Sequence, residues 1–414
     1  MRIRIVTFGC SSNVAEGEMM AGLLAKAGHK IVNSNEDLLI VNICSVKAPS
    51  FNKGLKEIRK AKTKVIAAGC IPSSALDRIF EIKPDASVVN THNLSKIAEV
   101  AERAGEIIVL MGKDAQVKTC IPRLRKNNLI AIIPICSGCL GSCAYCSVRL
   151  IKGDLLSFPQ EQIVEEAEQA IKEGCKELWI TAQDTGAYGK DISTDITELL
   201  SQLLTIKGDF KIRLGMANPQ YIKPLLPKLI PLLKSKKMFR FLHIPVQSGN
   251  NRILKLMKRK YNIKGYKEII KELKKVPGIT IATDIIVGFP TETKKEYEDS
   301  LKLIKETKPD VLNISRYYPQ PGTEGKAMKP VDTKEVKRRS AEISKEFSEI
   351  ALQNNRKWVG WKGEIIIDEK AKTWMGRNQS YKPVAVSEEF RLGEKINVEI
   401  KKATKNCLLA SRIL

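Results

Sequence analysis

Cys139-Leu-Gly-Ser-Cys143-Ala-Tyr-Cys146 sets three thiols at the spacing C-x3-C-x2-C, shortly after an apolar run, Leu129–Ile135. Three thiolates on so short a loop can take three corners of a [4Fe–4S] cube and leave the fourth iron without a protein ligand. The amino and carboxylate groups of S-adenosylmethionine (SAM) fit that open site. One electron from the reduced cube then breaks the sulfonium bond and releases a 5′-deoxyadenosyl radical. The cofactor carries this chemistry, while the protein binds, orients and excludes water. The competing reading is structural zinc, with Cys136 or a distant residue as fourth ligand. Structural zinc favours four closed ligands in paired knuckles. No second knuckle lies within reach, and the chain has only 3 histidines. Cys136 reads as a packed thiol beside the triad.

Other polar groups stand where a SAM pocket needs them. Tyr145 can pack near the adenine. Gln183 and Asp184 follow a strand pattern and can reach the SAM amino group. His243, Gln247 and Ser248 follow another and can bond ribose hydroxyls. Thr283-Asp284-Ile-Ile-Val-Gly288-Phe-Pro290 is a strand ending in Gly-x-Pro, where backbone can approach adenine or methionine closely. Each polar residue alone is more often a loop cap. Their common place at strand ends gives them weight as a set.

The elements that must position these groups alternate strand and helix. Candidate strands are Leu129–Ile135, Glu177–Thr181, Lys211–Leu214, Phe239–Ile244, Thr280–Ile286 and Val311–Ser315, with helical patterns such as Gln160–Lys172 and Lys294–Lys305 between them. Six βα units predict an open or partial barrel with its site at the carboxyl ends of the strands. The N-terminal stretch alternates too: strands Ile3–Phe8, Leu38–Ile43 and Lys64–Ala68, helices Glu16–Ala27 and Phe51–Lys60. This is the pattern of a parallel α/β sheet. Cys10, Cys44 and Cys70 each follow such a strand, so they are expected to converge on one edge. One buried cysteine is usually core; three so placed suggest a second cluster. A basic linker spans 113–128. Lys334–Gln353 reads as a long amphipathic helix. Beyond it, Glu364–Ile367, Lys382–Val386 and Ile396–Ile400 read as a small β module of the oligonucleotide-binding kind. The expected domains are 1–112, 129–354 and 355–414.

The net charge is +24, which suggests a polyanionic partner. The excess is uneven: residues 223–275 hold 16 Lys or Arg against two Glu, and 356–414 hold 13 basic against 7 acidic residues. Candidate nucleic-acid contacts are Lys255, Lys258, Arg259 and Lys260, at helix-like spacing, with Arg377 and Lys382 in the tail. A solvated face is the plainer reading of such runs. No apolar run is long enough to span a bilayer and no signal peptide is recognisable, so a cytoplasmic protein is expected. Clustered cysteines in that setting point to metal and not to disulfides. Cys120, Cys175 and Cys407 have no assigned role.

Thr7-Phe-Gly-Cys10-Ser-Ser-Asn13, Asn42-Ile-Cys44, Gly69-Cys70, the central triad and the β-rich tail together resemble the radical-SAM methylthiotransferase family, over essentially the whole chain. The resemblance implies a flavodoxin-like N-terminal domain, a partial (βα)6 radical-SAM barrel and a C-terminal TRAM domain, OB-like, that binds RNA. It implies an auxiliary [4Fe–4S] cluster on Cys10, Cys44 and Cys70 and a SAM-cleaving one on Cys139, Cys143 and Cys146. Two SAM molecules would then act. One methylates a sulfur on the auxiliary cluster, and the other supplies the radical that removes a substrate hydrogen. Trp179-Ile-Thr-Ala-Gln-Asp184-Thr-Gly-Ala-Tyr-Gly189, Leu242-His-Ile-Pro-Val-Gln-Ser248 and Ile279-Thr-Ile-Ala-Thr-Asp284 are most similar to the archaeal and eukaryotic branch acting on threonylcarbamoyladenosine in tRNA. Other branches act on isopentenyladenosine in tRNA or on an aspartate of a ribosomal protein. Within Tyr317-Tyr-Pro-Gln-Pro-Gly322 that branch commonly has Arg where this chain has Gln320. The expected partners are tRNA and an electron-donor protein, with a monomeric enzyme. A reading from another class is a non-catalytic RNA-binding protein with structural Fe–S or zinc.

Overall fold

A computed structural model of the chain describes residues 1–46 and 48–413. Six parallel strands form the first sheet: β1 (Arg2–Phe8), β2 (Lys30–Ile31), β3 (Leu38–Cys44), β4 (Lys64–Cys70), β5 (Ser87–Asn90) and β6 (Val109–Leu110). β3, Leu-Leu-Ile-Val-Asn-Ile-Cys, is buried at every position, as a parallel strand covered on both faces must be. The order across the sheet is β2-β1-β3-β4-β5-β6. This is the flavodoxin-like winding, and it reverses direction between β1 and β3. Phe8 pairs with Ile43 and Cys44 with Cys70. Cys10, Cys44 and Cys70 therefore stand on neighbouring strand ends at the switch point.

Helix α1 (Ser11–Lys26) begins at once behind Cys10, five residues before the expected start. Asn13 explains the difference: its Oδ1 accepts the Cys10 amide at 3.4 Å, closing the first turn. Most of α1 is buried, Ser12, Asn13, Glu16 and Glu18 included. A surface helix hides one stripe; this one is covered by its own sheet and by the second one.

The second set of strands is β7 (Ile130–Pro134), β8 (Glu177–Thr181), β9 (Lys211–Leu214), β10 (Phe241–His243), β11 (Thr280–Val287) and β12 (Val311–Arg316). They pair in parallel as β7-β8-β9 and β10-β11-β12. Ile212 bridges the two halves to Met238, and the Ala217 amide donates to His243 O at 2.9 Å. The six expected strands are present and make a curved, partial barrel. Leu178, Ile180, Ile212, Leu214, Leu242 and Ile285 face the surrounding helices in one core. By the alternation of a strand, Trp179, Arg213, Phe241, His243 and Asp284 face the lumen. A short helix, α2 (Val148–Lys152), follows Cys146.

Residues 113–128, expected as a linker, form a packed strap. The Arg123 guanidinium donates to Ile132 O at 2.7 Å and pairs with Glu166 at 2.5 Å. Leu124 donates to Glu18 O at 3.0 Å. Gly22 admits the crossing, since a Cβ there would lie 2.1 Å from Pro122 O. Lys118 and Arg123 are drawn inward by the buried Glu16 and Glu166.

Helix α3 (Thr333–Arg356) leads to five strands, β13 (Lys362–Lys370), β14 (Trp374–Arg377), β15 (Pro383–Val386), β16 (Lys395–Ala403) and β17 (Leu408–Arg412). They close into a barrel in the order β13-β14-β15-β17-β16. The sequence pattern misses β14 and β17. β14 is short and holds a glycine, and β17 ends in polar residues; pairing with neighbours makes both strands. Tyr381, at φ +58°, inserts from this barrel beneath the larger one. Its ring lies 4.8 Å from Phe239 and 5.2 Å from Phe241. Two expected RNA contacts are spent in this junction. Lys382 is buried, with Nζ 2.8 Å from Asp310 and 3.1 Å from Asn355 Oδ1. Arg377 pairs with Asp368 at 3.1 Å and lies over the Tyr381 ring. Neither is a free surface cation. Among the described residues no helix is long and apolar enough to cross a membrane.

Candidate active site

The loop after β7 folds the central cysteines around Gly141. The Gly141 amide donates to Cys139 Sγ at 3.2 Å. A Cβ on Gly141 would lie 3.4 Å from Cys139 Sγ and 3.6 Å from Cys143 Sγ, so the turn keeps space beside both sulfurs. The Cys139 amide donates to Gly153 O at 3.2 Å, which ties the end of α2 back to the triad. Burial pushes the Cys139 thiol up to about 11 and the Cys146 thiol up to about 12. Thiolates in so desolvated a place need cationic partners, which the irons of a cluster would supply. Cys136 faces the apolar core, where burial pushes its thiol well above the usual value. Among the described residues no three His, Cys, Asp or Glu side chains close around one metal ion. Sulfurs that take corners of a cube stand farther apart than ligands sharing an ion.

Arg259 is corrected from an RNA contact to a member of this site. Lys258, at φ +58°, ends the preceding helix and turns Arg259 inward, so helical spacing does not continue through it. The guanidinium reaches Cys143 Sγ at 3.4 Å, Tyr145 OH at 3.5 Å, Asn218 Oδ1 at 3.1 Å and Pro245 O at 3.3 Å. Asn218 was not singled out by sequence. Its position before Pro219, at a helix N-cap, was the available signal. The Asn218 amide donates to Asp184 Oδ1 at 2.9 Å, and Gly186 donates to the same oxygen at 3.1 Å. Burial pushes the Asp184 carboxyl up to about 6. Lys255 and Lys260 remain exposed, and Lys258 pairs with Glu324.

The remaining SAM candidates divide. His243 Nε2 lies 2.8 Å from Asp284 Oδ1, and Asn313 Nδ2 donates to that oxygen at 2.8 Å. This trio lines the lumen. Gln183 is half-buried above it, with Nε2 3.4 Å from Ser12 Oγ. Tyr145 packs with Phe289 and Tyr317. Ser248 is fully buried, and its hydroxyl accepts the Asn250 amide at 3.2 Å; it closes a turn. Gln247, also buried, sits at φ +71° and bridges to Ile285. Gly288 approaches a side chain, since a Cβ there would lie 2.3 Å from Val336. Pro290 is buried in the same turn. Ser248 and Gly288 thus serve the fold.

The N-terminal triad lies close by. Cys44 and Cys70 are ladder neighbours, 6 % and 2 % exposed, and Cys10 is exposed. Asn13 spans them, with Nδ2 3.6 Å from Cys70 Sγ and Oδ1 3.4 Å from Cys10 Sγ. Gly9 leaves room for that amide, because a Cβ there would lie 2.4 Å from Asn13 Oδ1. A hydrogen bond from the Cys44 thiol holds Cys70 down to about 7. Three converging thiols, one open to solvent, fit a cluster with a free corner. The first sheet meets the barrel at this end: Ser11 Oγ, next to Cys10, lies 2.9 Å from Thr181 Oγ1 at the end of β8. Gln320 reinforces the join, donating to Val46 O at 2.8 Å, two residues past Cys44. Cys120 is exposed, Cys175 donates to Asn128 O at 3.2 Å, and Cys407 lies in a turn with Thr404.

Residues 133–304 match the Radical SAM superfamily, and residues 2–91 match a family described as uncharacterized protein family UPF0004. The fold is similar to that of the radical S-adenosylmethionine methyltransferase TsrM from Kitasatospora setae, solved with cobalamin and a [4Fe–4S] cluster. The TM-score is 0.58 at 13 % identity, over 78 % of this chain and 76 % of that one. Fold and thiol site together define a radical-SAM enzyme. A probable threonylcarbamoyladenosine tRNA methylthiotransferase of Methanothermobacter thermautotrophicus is 36 % identical over 99 % of both chains. The human threonylcarbamoyladenosine tRNA methylthiotransferase is 36 % identical over 98 % of this chain and 73 % of its own. The chain belongs to this methylthiotransferase family.

Proposed function

We propose that the enzyme inserts a methylthio group at C2 of N6-threonylcarbamoyladenosine, next to the anticodon of tRNA, using two [4Fe–4S] clusters and SAM. The observation that carries this reading is that each of two thiol triads stands at strand ends, the first next to the Ser11–Thr181 contact between sheet and barrel. A radical source alone needs one triad. The substrate for which the methanogen and human relatives are named supports this choice.

Cys139, Cys143 and Cys146 would hold the cluster that, with SAM, supplies a 5′-deoxyadenosyl radical, and Cys10, Cys44 and Cys70 the one that supplies sulfur. The chain's own residues do the rest. Asp184, fixed by two backbone amides, presents a carboxylate edge to a ligand amino group. Arg259 ties the Cys143 loop to Asn218 and Pro245, so the triad and the polar strand ends keep one geometry. His243, oriented by Asp284, offers a donor to the lumen. The Gln320 bond and the strap hold the sulfur-bearing sheet over the radical-generating barrel. An electron-donor protein supplies the reductant, and the enzyme works as a cytoplasmic monomer. The exposed Lys255 and Lys260 and the five-stranded barrel contact tRNA phosphates. The test is mass spectrometry of tRNA nucleosides from a deletion strain, before and after complementation. Loss and return of 2-methylthio-N6-threonylcarbamoyladenosine is expected, and its persistence in the deletion strain overturns the assignment.

A further inference from the structure

A buried charge cluster lies where sheet, strap and barrel meet, at the N-terminal triad. Glu16, Thr91, Lys118 and Lys152 are 2 %, 1 %, 6 % and 5 % exposed. Lys118 Nζ lies 2.7 Å and Lys152 Nζ 3.0 Å from the same oxygen, Glu16 Oε1. Thr91 Oγ1 completes the group, 2.6 Å from Glu16 Oε1. Two ammonium groups share one carboxylate, and Glu16 Oε2 has no hydrogen-bond partner among the described residues. The cluster is one positive charge in excess. Burial pushes the Lys118 ammonium down, and an uncompensated buried charge is strongly unfavourable, so the excess favours an anion beside it.

The thiol triad is that anion. The geometry sets the two side by side: β4 and β5 pair Gly69 with Asn90, so Thr91, 3.4 Å from Lys152 Nζ, follows beside Cys70 at the strand ends, and Asn13, one turn before Glu16 on α1, donates to Cys70 Sγ at 3.6 Å. The placement follows from α2. That helix starts two residues after Cys146 and ends on Lys152, and Gly153, at φ +77°, turns the chain away. One short helix thus joins the radical-SAM triad to the sulfur-bearing one. Its last turn is also gripped by the first sheet, with His92 Nε2 2.9 Å from Ile151 O.

We propose that Lys152, held in place by Glu16 and Thr91, is the counter-charge of the auxiliary cluster: a positioning residue that stabilises the anionic cluster and raises its reduction potential. The inference rests on the two-cluster reading above. A cluster on three thiolates is a net anion, and one added electron makes it more so. A fixed ammonium in a low-dielectric place therefore favours the reduced form. A purely structural clamp makes a different prediction, since its removal alters stability without moving the potential in step with charge.

The experiment uses the full chain with Cys139, Cys143 and Cys146 replaced by Ala, reconstituted anaerobically, so that iron reports on Cys10, Cys44 and Cys70 alone. Iron content is measured first. If that chain binds no iron, the two-cluster reading fails and the inference with it. If it binds iron, an electron-paramagnetic-resonance redox titration compares three variants. Lys152→Met is expected to lower the reduced-to-oxidised ratio about tenfold at a fixed poise, about 59 mV for one electron. Glu16→Gln, nearly isosteric, is expected to move it the other way. Lys152→Met with Glu16→Gln restores the charge excess and is expected to return the potential towards the parent. Should Lys152→Met load no iron, Glu16→Gln decides alone. Iron-loaded variants with the parent's potential overturn the inference, as does Glu16→Gln shifting it downward.

Discussion

Cys139, Cys143 and Cys146 lie within one loop, whereas Cys10, Cys44 and Cys70 are gathered from three strand ends. The loop needs little beyond itself: a glycine amide on one sulfur, Gly153 O on the Cys139 amide, and Arg259 against Cys143. The other triad exists only when β1, β3 and β4 pair in register. A slip of one residue between β3 and β4 would send Cys44 and Cys70 to opposite faces. A local site and a distributed one should thus fail differently.

The largest expected effect separates their roles. Replacing Cys139, Cys143 and Cys146 by Ala should abolish formation of 5′-deoxyadenosine from SAM under dithionite. Replacing Cys10, Cys44 and Cys70 by Ala should leave that reaction running while methylthiolated nucleoside vanishes. Chromatography of both products on one reaction decides the matter. Product from the N-terminal variant would mean that one triad suffices.

Arg259→Leu is expected to act on the local triad only. It should cut SAM cleavage about tenfold or more, with the tRNA affinity and its salt dependence unchanged, because the guanidinium faces Cys143 and not solvent. Lys255→Ala with Lys260→Ala should do the reverse, weakening tRNA binding and flattening its salt slope. Binding titrations at two salt concentrations distinguish the pair. A drop in affinity for Arg259→Leu would return it to the RNA surface.

The contrast also explains what the sequence could reveal. The central triad was legible because its spacing is its geometry. The βα alternation revealed the two sheets, because the core-facing runs are long and apolar. Arg259 was misread because Lys258 breaks the helix there, and a left-handed residue leaves no signature in a lysine-rich run. Lys382 and Arg377 were misread because charge alone does not tell a solvated cation from one facing a buried Asp310 or Asp368. The strap over Gly22 was invisible for the same reason: Lys118 and Arg123 look like linker residues until Glu16 and Glu166 are placed opposite them. β14 and β17 were missed because they are strands by pairing and not by propensity.

Glycine substitutions probe the same contrast with smaller effects. Gly69 sits at φ +100°, and a Cβ there would lie 2.3 Å from Asn42 Oδ1. Gly69→Ala should cost about 1–3 kcal/mol in denaturant unfolding and empty the distributed triad. At Gly141 a Cβ meets only two sulfurs at ordinary contact distance. Gly141→Ala should unfold like the parent yet load less iron on the central triad. Equal losses of stability would remove the distinction between local and distributed construction.

A pH effect lies apart from both triads, under the barrel, where Glu177 is fully buried. Its Oε2 accepts from Trp179 Nε1 at 2.8 Å, and its Oε1 has no partner among the described residues. Burial first, then the nearby Asp368 carboxylate, push the Glu177 carboxyl up to about 7. The folded protein therefore keeps a proton there that the unfolded chain releases near pH ~4.3. Where only the native state holds the proton, stability falls as pH rises. This contribution should be full below about pH 4, shrink up to about pH 7 and stay flat beyond, a span on the order of 3 kcal/mol. Glu177→Gln, which cannot ionise, should remove that slope and leave other pH effects in place. The difference between wild-type and variant unfolding free energies from pH 5 to pH 8 isolates the group. Parallel profiles would show that Glu177 titrates like an ordinary surface acid. In that case the junction between the two barrels opens to water, and Tyr381 does not seal it.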